Sequence, residues 1–453
     1  MPIFRLTAIA LSFSFLLLFG SCSSSQGIQN SNTAYLYNPQ NMALRPHFVV
    51  HHLSDTLSRI HYRMSSSDLL YVRDQESKDY TASFRLRYEV ATGYENATIL
   101  DTNEFIFRDR APAPPEKIIS GHFEVSTPSD KVDKKDYVLV VRVKDEKRGT
   151  TFQNILKLSK KSLQHRQRLL LTDPYSNLLF KNHVPAGVPF RLMHPGLKPA
   201  SYYVSVYQRD FPLAKPPFTD PKNRSFKLAP DTTYKVQADQ LLRLPEHGLY
   251  HFRLDTTQWN GFTLQSFQRE FPFVARVKEM GPPLRYLTKQ EEYDEWKAIK
   301  HKEKQAKKWV DNFWLSRAAN AKQGKKLIET YYRRVEYANR YFSSYLEGWK
   351  TDRGILYCVY GPPDKVYLSS EGETWVYGSE SSSLSYIFNF EKVKNPFSNN
   401  DYQLNRNRRY RYGWGQAVQT WRNGRTYDSE NIRREQDAQD QVMYNRRRSA
   451  YWY

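Results

Sequence analysis

Cysteine is nearly missing from this chain: Cys22 and Cys358 are the whole supply in 453 residues. A disulfide-stapled scaffold is excluded, and stability has to come from burial. Histidine is absent after His301, so a Cys–His or Ser–His pair in the C-terminal part would need its base from elsewhere. No glycine-rich phosphate loop or dinucleotide fingerprint occurs. Long apolar runs are missing as well, with one exception at the start.

That exception spans 6–19, after a single positive charge at Arg5. It is shorter than the roughly 20 residues a transmembrane helix requires, and it has the length of a signal-peptide core. Cys22, preceded by Gly20 and Ser21, resembles the lipid-accepting cysteine of a lipobox, although Phe19 stands where Leu is more usual. The alternative is an ordinary signal peptide cut near Ser21. The stretch Ser23 to Gly27 is polar and flexible, as a tether between lipid and folded body should be. The expectation is an exported chain held at a membrane through Cys22, which leaves Cys358 unpaired.

Charge is present in excess of one sign. The formal net charge is +21, with 68 Lys and Arg against 47 Asp and Glu. Such a surface favours anionic partners, namely outer-membrane glycolipid, cell-wall polymer or an acidic protein face. Export argues against nucleic acid. Aromatics reach 15%, with 33 Tyr, and tilt the chain toward β structure.

The expected class is mainly β with an α+β C-terminal part. After a signal peptide (1–21) and tether (22–34), two β-sandwich-like domains are expected over 35–160 and 169–275, where short alternating strands are separated by turns. Phe84, Leu86, Tyr88 and Val90 alternate with polar residues, and Tyr137 to Val143 reads as a central strand. Beyond Gly281-Pro282-Pro283 a helical segment (284–346) begins, with Thr288 and Glu291 as a capping box. Its second helix puts Leu327, Tyr331, Val335, Ala338 and Phe342 on one face. Strand signals return at Gly354 to Tyr360, Thr374 to Tyr377 and Leu384 to Phe390 within a small α+β unit (347–402). A basic aromatic extension (403–453) follows.

Gly348-Trp349-Lys350-Thr351-Asp352 resembles the signature of the GWxTD-domain family of Bacteroidetes and related bacteria. The helix before it, the turn Gly361-Pro362-Pro363-Asp364 and the aromatic strand Trp375-Val376-Tyr377 match as well, so the resemblance covers about 309–402. The basic stretch Leu315 to Lys326 departs from the acidic, Pro-containing segment usual there. The resemblance implies no catalytic role. Surface-exposed lipoproteins of these bacteria carry acidic residues just after the cysteine; Ser23 to Gln26 has none, which favours the periplasmic face of the outer membrane.

Read physically, the motif is a helix-to-strand joint. Gly348 would end the helix in a left-handed conformation, Trp349 would cover the junction, and Thr351 and Asp352 would bond nearby amides. Gly354 suits a type I turn, and Gly361-Pro362-Pro363-Asp364 a second turn that ends a strand. A ligand or partner site on Trp349 and Asp352 is the alternative. Cys358 would be a buried thiol on an apolar strand. Asp352 with Asp364 could form the carboxylate pair of a polysaccharide hydrolase. His47, His51, His52 and His61 cluster without the Cys or carboxylates a metal site would add. No catalytic residue, metal or cofactor is assigned.

The extension interleaves Arg408, Arg409, Tyr410, Trp414, Trp421 and, near the end, Trp452, a composition typical of interaction hot spots. The leading expectation is a non-enzymatic envelope lipoprotein whose C-terminal part binds a protein partner, in an outer-membrane assembly or export complex, with the β units as spacer. A glycan- or peptidoglycan-binding module is the second reading, and a polysaccharide- or peptide-acting hydrolase the third.

Overall fold

A computed structural model describes residues 28–38, 42–95, 97–129, 136–160, 165–194, 201–220, 225–238, 240–378, 385–428, 434 and 441. Cys22, its tether residues 23–27, and Trp452 lie outside the described residues.

The first unit holds strands β1 (His47–His52), β2 (Leu57–Ser65), β3 (Val72–Arg73), β4 (Tyr80–Ala91), β5 (Ile99–Ala111), β6 (Ile118–Ser126), β7 (Asp136–Asp145) and β8 (Thr151–Ser159). A sheet ordered β1-β2-β6 faces a second sheet in which β4 pairs with β5, with β3 and with β7, and β7 with β8. Alternation decides which side chains meet between them. Phe84, Leu86, Tyr88 and Val90 all turn inward, and Tyr88 stacks on Phe123 of the opposite sheet at 5.2 Å. The near-continuous apolar β7 is central, as its composition predicted.

The second unit adds β9 (Leu170–Thr172), β10 (His183–Pro185), β11 (Pro189–Met193), β12 (Ser201–Tyr207), β13 (Thr232–Gln237), β14 (Leu242–Arg243), β15 (Gly248–Arg253) and β16 (Phe262–Phe267). They form a five-stranded sheet, β10-β16-β15-β12-β13, and a three-stranded one, β14-β11-β9, around a shared core.

Helices α1 (Val277–Met280), α2 (Gln290–Ile299), α3 (Glu303–Leu315), α4 (Ala321–Phe342) and α5 (Asp352–Tyr360), strands β17 (Lys365–Leu368), β18 (Gly372–Tyr377), β19 (Tyr386–Lys392) and β20 (Tyr402–Leu404), and helix α6 (Tyr410–Arg422) complete the chain. The four strands form an antiparallel sheet in sequence order. The mainly β class with an α+β C-terminal part is therefore observed. Leu327, Tyr331, Val335, Ala338 and Phe342 of α4 are buried as one stripe. Asn320 caps the helix by accepting the Gln323 amide at 2.9 Å. The α2 cap lies one residue beyond the predicted box: Glu292 accepts the Lys289 amide at 2.7 Å. All these helices and the sheet share one core, from Leu284 to Tyr427.

Two expectations fail here. The stretch 354–360 is helix α5 and not a strand, so Cys358 is a buried helical thiol. Its residues are apolar throughout, and a run buried on all sides carries no period to read. Secondly, the start of the extension does not offer its aromatics as an interaction surface, because α6 packs Tyr410, Trp414, Ala417 and Trp421 into the core.

Candidate functional site

The joint between α4 and α5 is built from the 348–352 motif. Helix α4 stops at Phe342, where Ser343 Oγ donates to the Asn339 carbonyl at 2.6 Å and accepts the Gly348 amide at 2.9 Å. The Trp349 amide donates to Asn339 Oδ1 at 3.3 Å. Gly348 does not have the expected left-handed backbone, since it is missing from the residues of positive φ. Close approach explains it: a Cβ there would collide with the Ala338 carbonyl. Trp349, 5% exposed, closes the joint against Tyr286 at 6.3 Å between ring centres.

Thr351 is the N-cap of α5. Its Oγ1 accepts the Gly354 amide at 3.1 Å and donates to the Gly348 carbonyl at 2.7 Å. Gly354 therefore sits in the first turn of a helix rather than in a type I turn, and a side chain there would strike the Gly348 carbonyl. Asp352 opens the helix where a carboxylate complements the N-terminal dipole. It is fully buried, accepts the Leu404 amide at 2.9 Å, and pairs with Arg406 at 2.5 Å. Arg406 continues to the Lys215 and Pro216 carbonyls at 2.7 and 2.8 Å. One side chain thus ties α5, β20 and the 213–217 segment of the second unit together.

Beside it, buried Arg353 pairs with Glu373 at 2.7 Å and lies 3.9 Å over the Tyr402 ring. Burial would lower the Arg353 pKa; the Glu373 charge outweighs it and holds the guanidinium charged. Glu373 also accepts from Trp375 Nε1 at 2.9 Å and Tyr37 Oη at 3.0 Å. The Gly361-Pro362-Pro363-Asp364 turn ends α5, not a strand. Gly361 caps it with φ of 88°, and Asp364 Oδ2 accepts the Gly378 amide at 2.8 Å. Asp352 and Asp364 are each committed to internal bonds, so neither is presented to a substrate. Burial pushes the Cys358 thiol well above its ordinary value, which suppresses the thiolate.

The residues singled out in the extension divide. Tyr410, Trp414 and Trp421 are core: Trp421 Nε1 donates to the Val359 carbonyl at 2.9 Å, and Tyr410 Oη to that of Ile387 at 2.6 Å. They are no partner surface, whereas Arg408 and Arg409, with Arg411 and the 70%-exposed Tyr412, face outward. The missed signal was spacing, because 410, 414, 417 and 421 fall on one helical face.

The histidines divide too. His52 bonds Ser58 Oγ at 2.8 Å and the Ser159 carbonyl at 2.9 Å, while His51, His61 and His122 stand in a row with ring centres 6.3 and 5.8 Å apart. Among the described residues no three His, Cys, Asp or Glu side chains converge as metal ligands. No helix of the described residues is long and apolar enough to cross a membrane.

One contact had no signal in the sequence. The segment Ile28–Tyr37 docks on the C-terminal sheet: Thr33 bonds the Val366 carbonyl at 2.8 Å through both its amide and Oγ1. Asn32 Oδ1 accepts the Val366 amide at 3.1 Å, and Tyr357 Oη donates to the Tyr37 carbonyl at 2.7 Å. Residues 28–34, expected as the end of a flexible tether, are instead held against the C-terminal sheet, and the Gln29 amide also bonds the Tyr94 carbonyl of the first unit at 3.3 Å.

Comparison with known proteins places residues 248–423 in the GWxTD domain. That span begins in β15, well before the resemblance read from the sequence. An aromatic box at this boundary, with Phe211–Tyr345 at 5.0 Å and Tyr207–Phe397 at 4.8 Å, joins the second unit to the helices and sheet. No curated protein matches the chain. Among solved structures, Bacteroides uniformis beta-glucuronidase 2, covalently bound to cyclophellitol-6-carboxylate aziridine, is 11% identical over 34% of this chain and 15% of its own, with a TM-score of 0.18. A Bacteroides uniformis beta-glucuronidase is 12% identical with the same coverage and a TM-score of 0.17. The chain spans about a seventh of these enzymes, and overlaps this weak carry no argument about activity.

Proposed function

Starting from a chain that carries a GWxTD domain, we propose a non-enzymatic cell-envelope lipoprotein that binds a protein partner through this domain, as a scaffold component of an outer-membrane assembly or export complex. The observation that carries the reading is the internal commitment of the motif: Thr351 and Asp352 are spent on internal bonds, and buried Arg353 pairs with Glu373 and Asn400, with only its Nε unbonded. A buried, fully bonded carboxylate stabilises a joint and has no lone pair aimed at a reactant. What remains for recognition is the outer face, where Arg408, Arg409, Arg411 and Tyr412 combine guanidinium forks with an aromatic ring.

The docked Ile28–Tyr37 segment sets the orientation. Five residues lie between Cys22 and Ile28, six Cα-to-Cα steps with a reach of about 20 Å when extended. With lipid on Cys22, the GWxTD domain lies beside the outer membrane, on its periplasmic face. Mild-detergent pull-down of the full chain tests the function. A stoichiometric envelope protein, lost in an Arg408→Glu, Arg409→Glu, Tyr412→Ala variant that still folds, supports it. Recovery of no such protein contradicts it.

A second reading, binding of an anionic glycan or cell-wall polymer, is favoured by one feature. Lys300, Lys302, Lys304, Lys307, Lys308, Lys322, Lys325 and Lys326 follow the turn from α2 into α3, the first half of α3 and the first turns of α4, and all eight are exposed. Peptidoglycan and lipopolysaccharide co-sedimentation at two salt concentrations tests it. Binding carried by exposed charge falls away once screening lengths shorten below about 10 Å.

A further inference from the structure

The geometry points to a second copy of this chain as the occupant of the free β5 edge, paired antiparallel about a two-fold axis at Ile106. Among the described residues β5 pairs with β4 alone, so its other side offers a row of backbone donors and acceptors. Exposed edges are ordinarily blunted by proline, bulges, lysine or inward-pointing charge, and here the inward Asp101 and Asp109 are already bonded by the Ser126 amide and Lys117. Here one irregularity sits at the start, between Asp101 and Ile99, and the prolines come only after Ala111. Between them run eleven residues without proline, glycine or lysine. At their centre Ile106 is 54% exposed, an unusual place for a large apolar side chain.

The sequence of this edge is complementary to itself. In Glu104-Phe105-Ile106-Phe107-Arg108, reading the copy backwards sets Glu104 opposite Arg108, Phe105 opposite Phe107 and Ile106 opposite itself. Further out, Asn103 meets Asp109, Thr102 meets Arg110 and Asp101 meets Ala111, so no like charges face each other. Centring on Phe105 instead would oppose Asp101 to Asp109.

The faces agree as well. Phe105 and Phe107 point inward, Phe107 stacking on Phe84 at 4.8 Å and Phe105 6.1 Å from Phe123. Glu104, Ile106 and Arg108 point outward and are exposed. The pairing therefore covers Ile106 with its twin, flanked on the same face by Glu104, which also bridges Arg85 of β4, set against Arg108 of the copy. The backbone selects the same centre. The Glu104 amide turns to the Asn103 side-chain oxygen at 2.8 Å rather than to β4, so even-numbered amides face the open edge. Residues alternate in this way along an antiparallel ladder, and an Ile106–Ile106 pair would be a hydrogen-bonded one.

Sedimentation equilibrium of the detergent-solubilised full chain tests the pairing, with circular dichroism as the fold control. The wild type should sediment as a dimer at micromolar concentration. Ile106→Pro, which removes an edge-facing donor without touching the β4 ladder, should give monomer. Glu104→Arg alone and Arg108→Glu alone should each weaken the dimer by about tenfold or more, because the symmetry doubles each like-charge contact. The double reversal Glu104→Arg with Arg108→Glu should restore it. A monomeric wild type, a dimer indifferent to Ile106→Pro, or a double reversal no better than the singles would each overturn the inference.

Discussion

Asp352 of α5 and Arg406, just beyond β20, meet at 2.5 Å with the carboxylate fully buried and the guanidinium nearly so. Removing one partner of a buried pair leaves the other desolvated and unmatched, which costs about 3–5 kcal/mol. Asp352→Ala should therefore lower the denaturation midpoint of the GWxTD domain steeply. Asp352→Ala with Arg406→Leu should recover part of that loss, because no charge is stranded. Chemical denaturation followed by near-UV circular dichroism checks both.

Gly348 and Gly354 answer to the same joint by shape. Each would drive a Cβ into a backbone carbonyl, and backbone cannot swing aside as a side chain can. Gly348→Ala and Gly354→Ala should each cost about 3 kcal/mol or more, at the upper end of overpacking. Gly415→Ala in α6, where a Cβ meets nothing within 4 Å, should be neutral or slightly stabilising. Thermal unfolding of the three variants measures the contrast.

The first unit should be acid-labile. Burial, with Lys160 and Arg168 close by, lowers His52 to about 3; burial and His61 lower His51 to about 4. These depressed values keep the rings neutral in the folded state, while the unfolded chain takes up protons near pH 6.5. Stability is fully present above about pH 6.5 and is lost progressively as pH falls toward 4. Each ring contributes on the order of 1–2 kcal/mol of loss by pH 5. Thermal melts at pH 7 and pH 5 should separate widely, and the gap should narrow in His51→Gln.

Asn32 is the hinge-pin of the docked N-terminal segment, accepting the Ala34 and Val366 amides at 3.0 and 3.1 Å. Asn32→Ala leaves an amide of β17 without its acceptor, a loss of about 1–3 kcal/mol. Amides of 28–37 should exchange about tenfold or more faster in hydrogen-exchange mass spectrometry, while α4 stays protected.

Much of this architecture can be read from local pattern. The α4 stripe and the alternation of β4 are periodic, and period survives in a single sequence. Helix α5 is opaque because Ile355-Leu356-Tyr357-Cys358-Val359-Tyr360 is apolar on every side. Its caps were nonetheless legible: Thr351 before Asp352 and a glycine at 361 are start and stop signals. The bonds that define the motif were not. Asp352 finds Leu404 and Arg406, and Thr33 finds Val366, across 52, 54 and 333 residues, and no spacing rule reaches so far. The aromatic extension misled for a different reason. Tyr, Trp and Arg are the residues of hot spots and of snug cores alike, and only the helical spacing of α6 tells them apart.

The central claim is that the GWxTD motif is a structural joint and that the exposed surface at the start of α6, from Arg408 to Tyr412, recognises a partner. The most direct measurement is a quantitative pull-down from envelopes at matched protein levels. It compares wild type, Asp352→Asn, and the Arg408→Glu, Arg409→Glu, Tyr412→Ala variant. The account predicts a stoichiometric partner kept by whatever fraction of Asp352→Asn remains folded and lost from the fully folded surface variant. Folded Asp352→Asn that loses the partner, while the surface variant retains it, would contradict the account and make the motif itself the binding site.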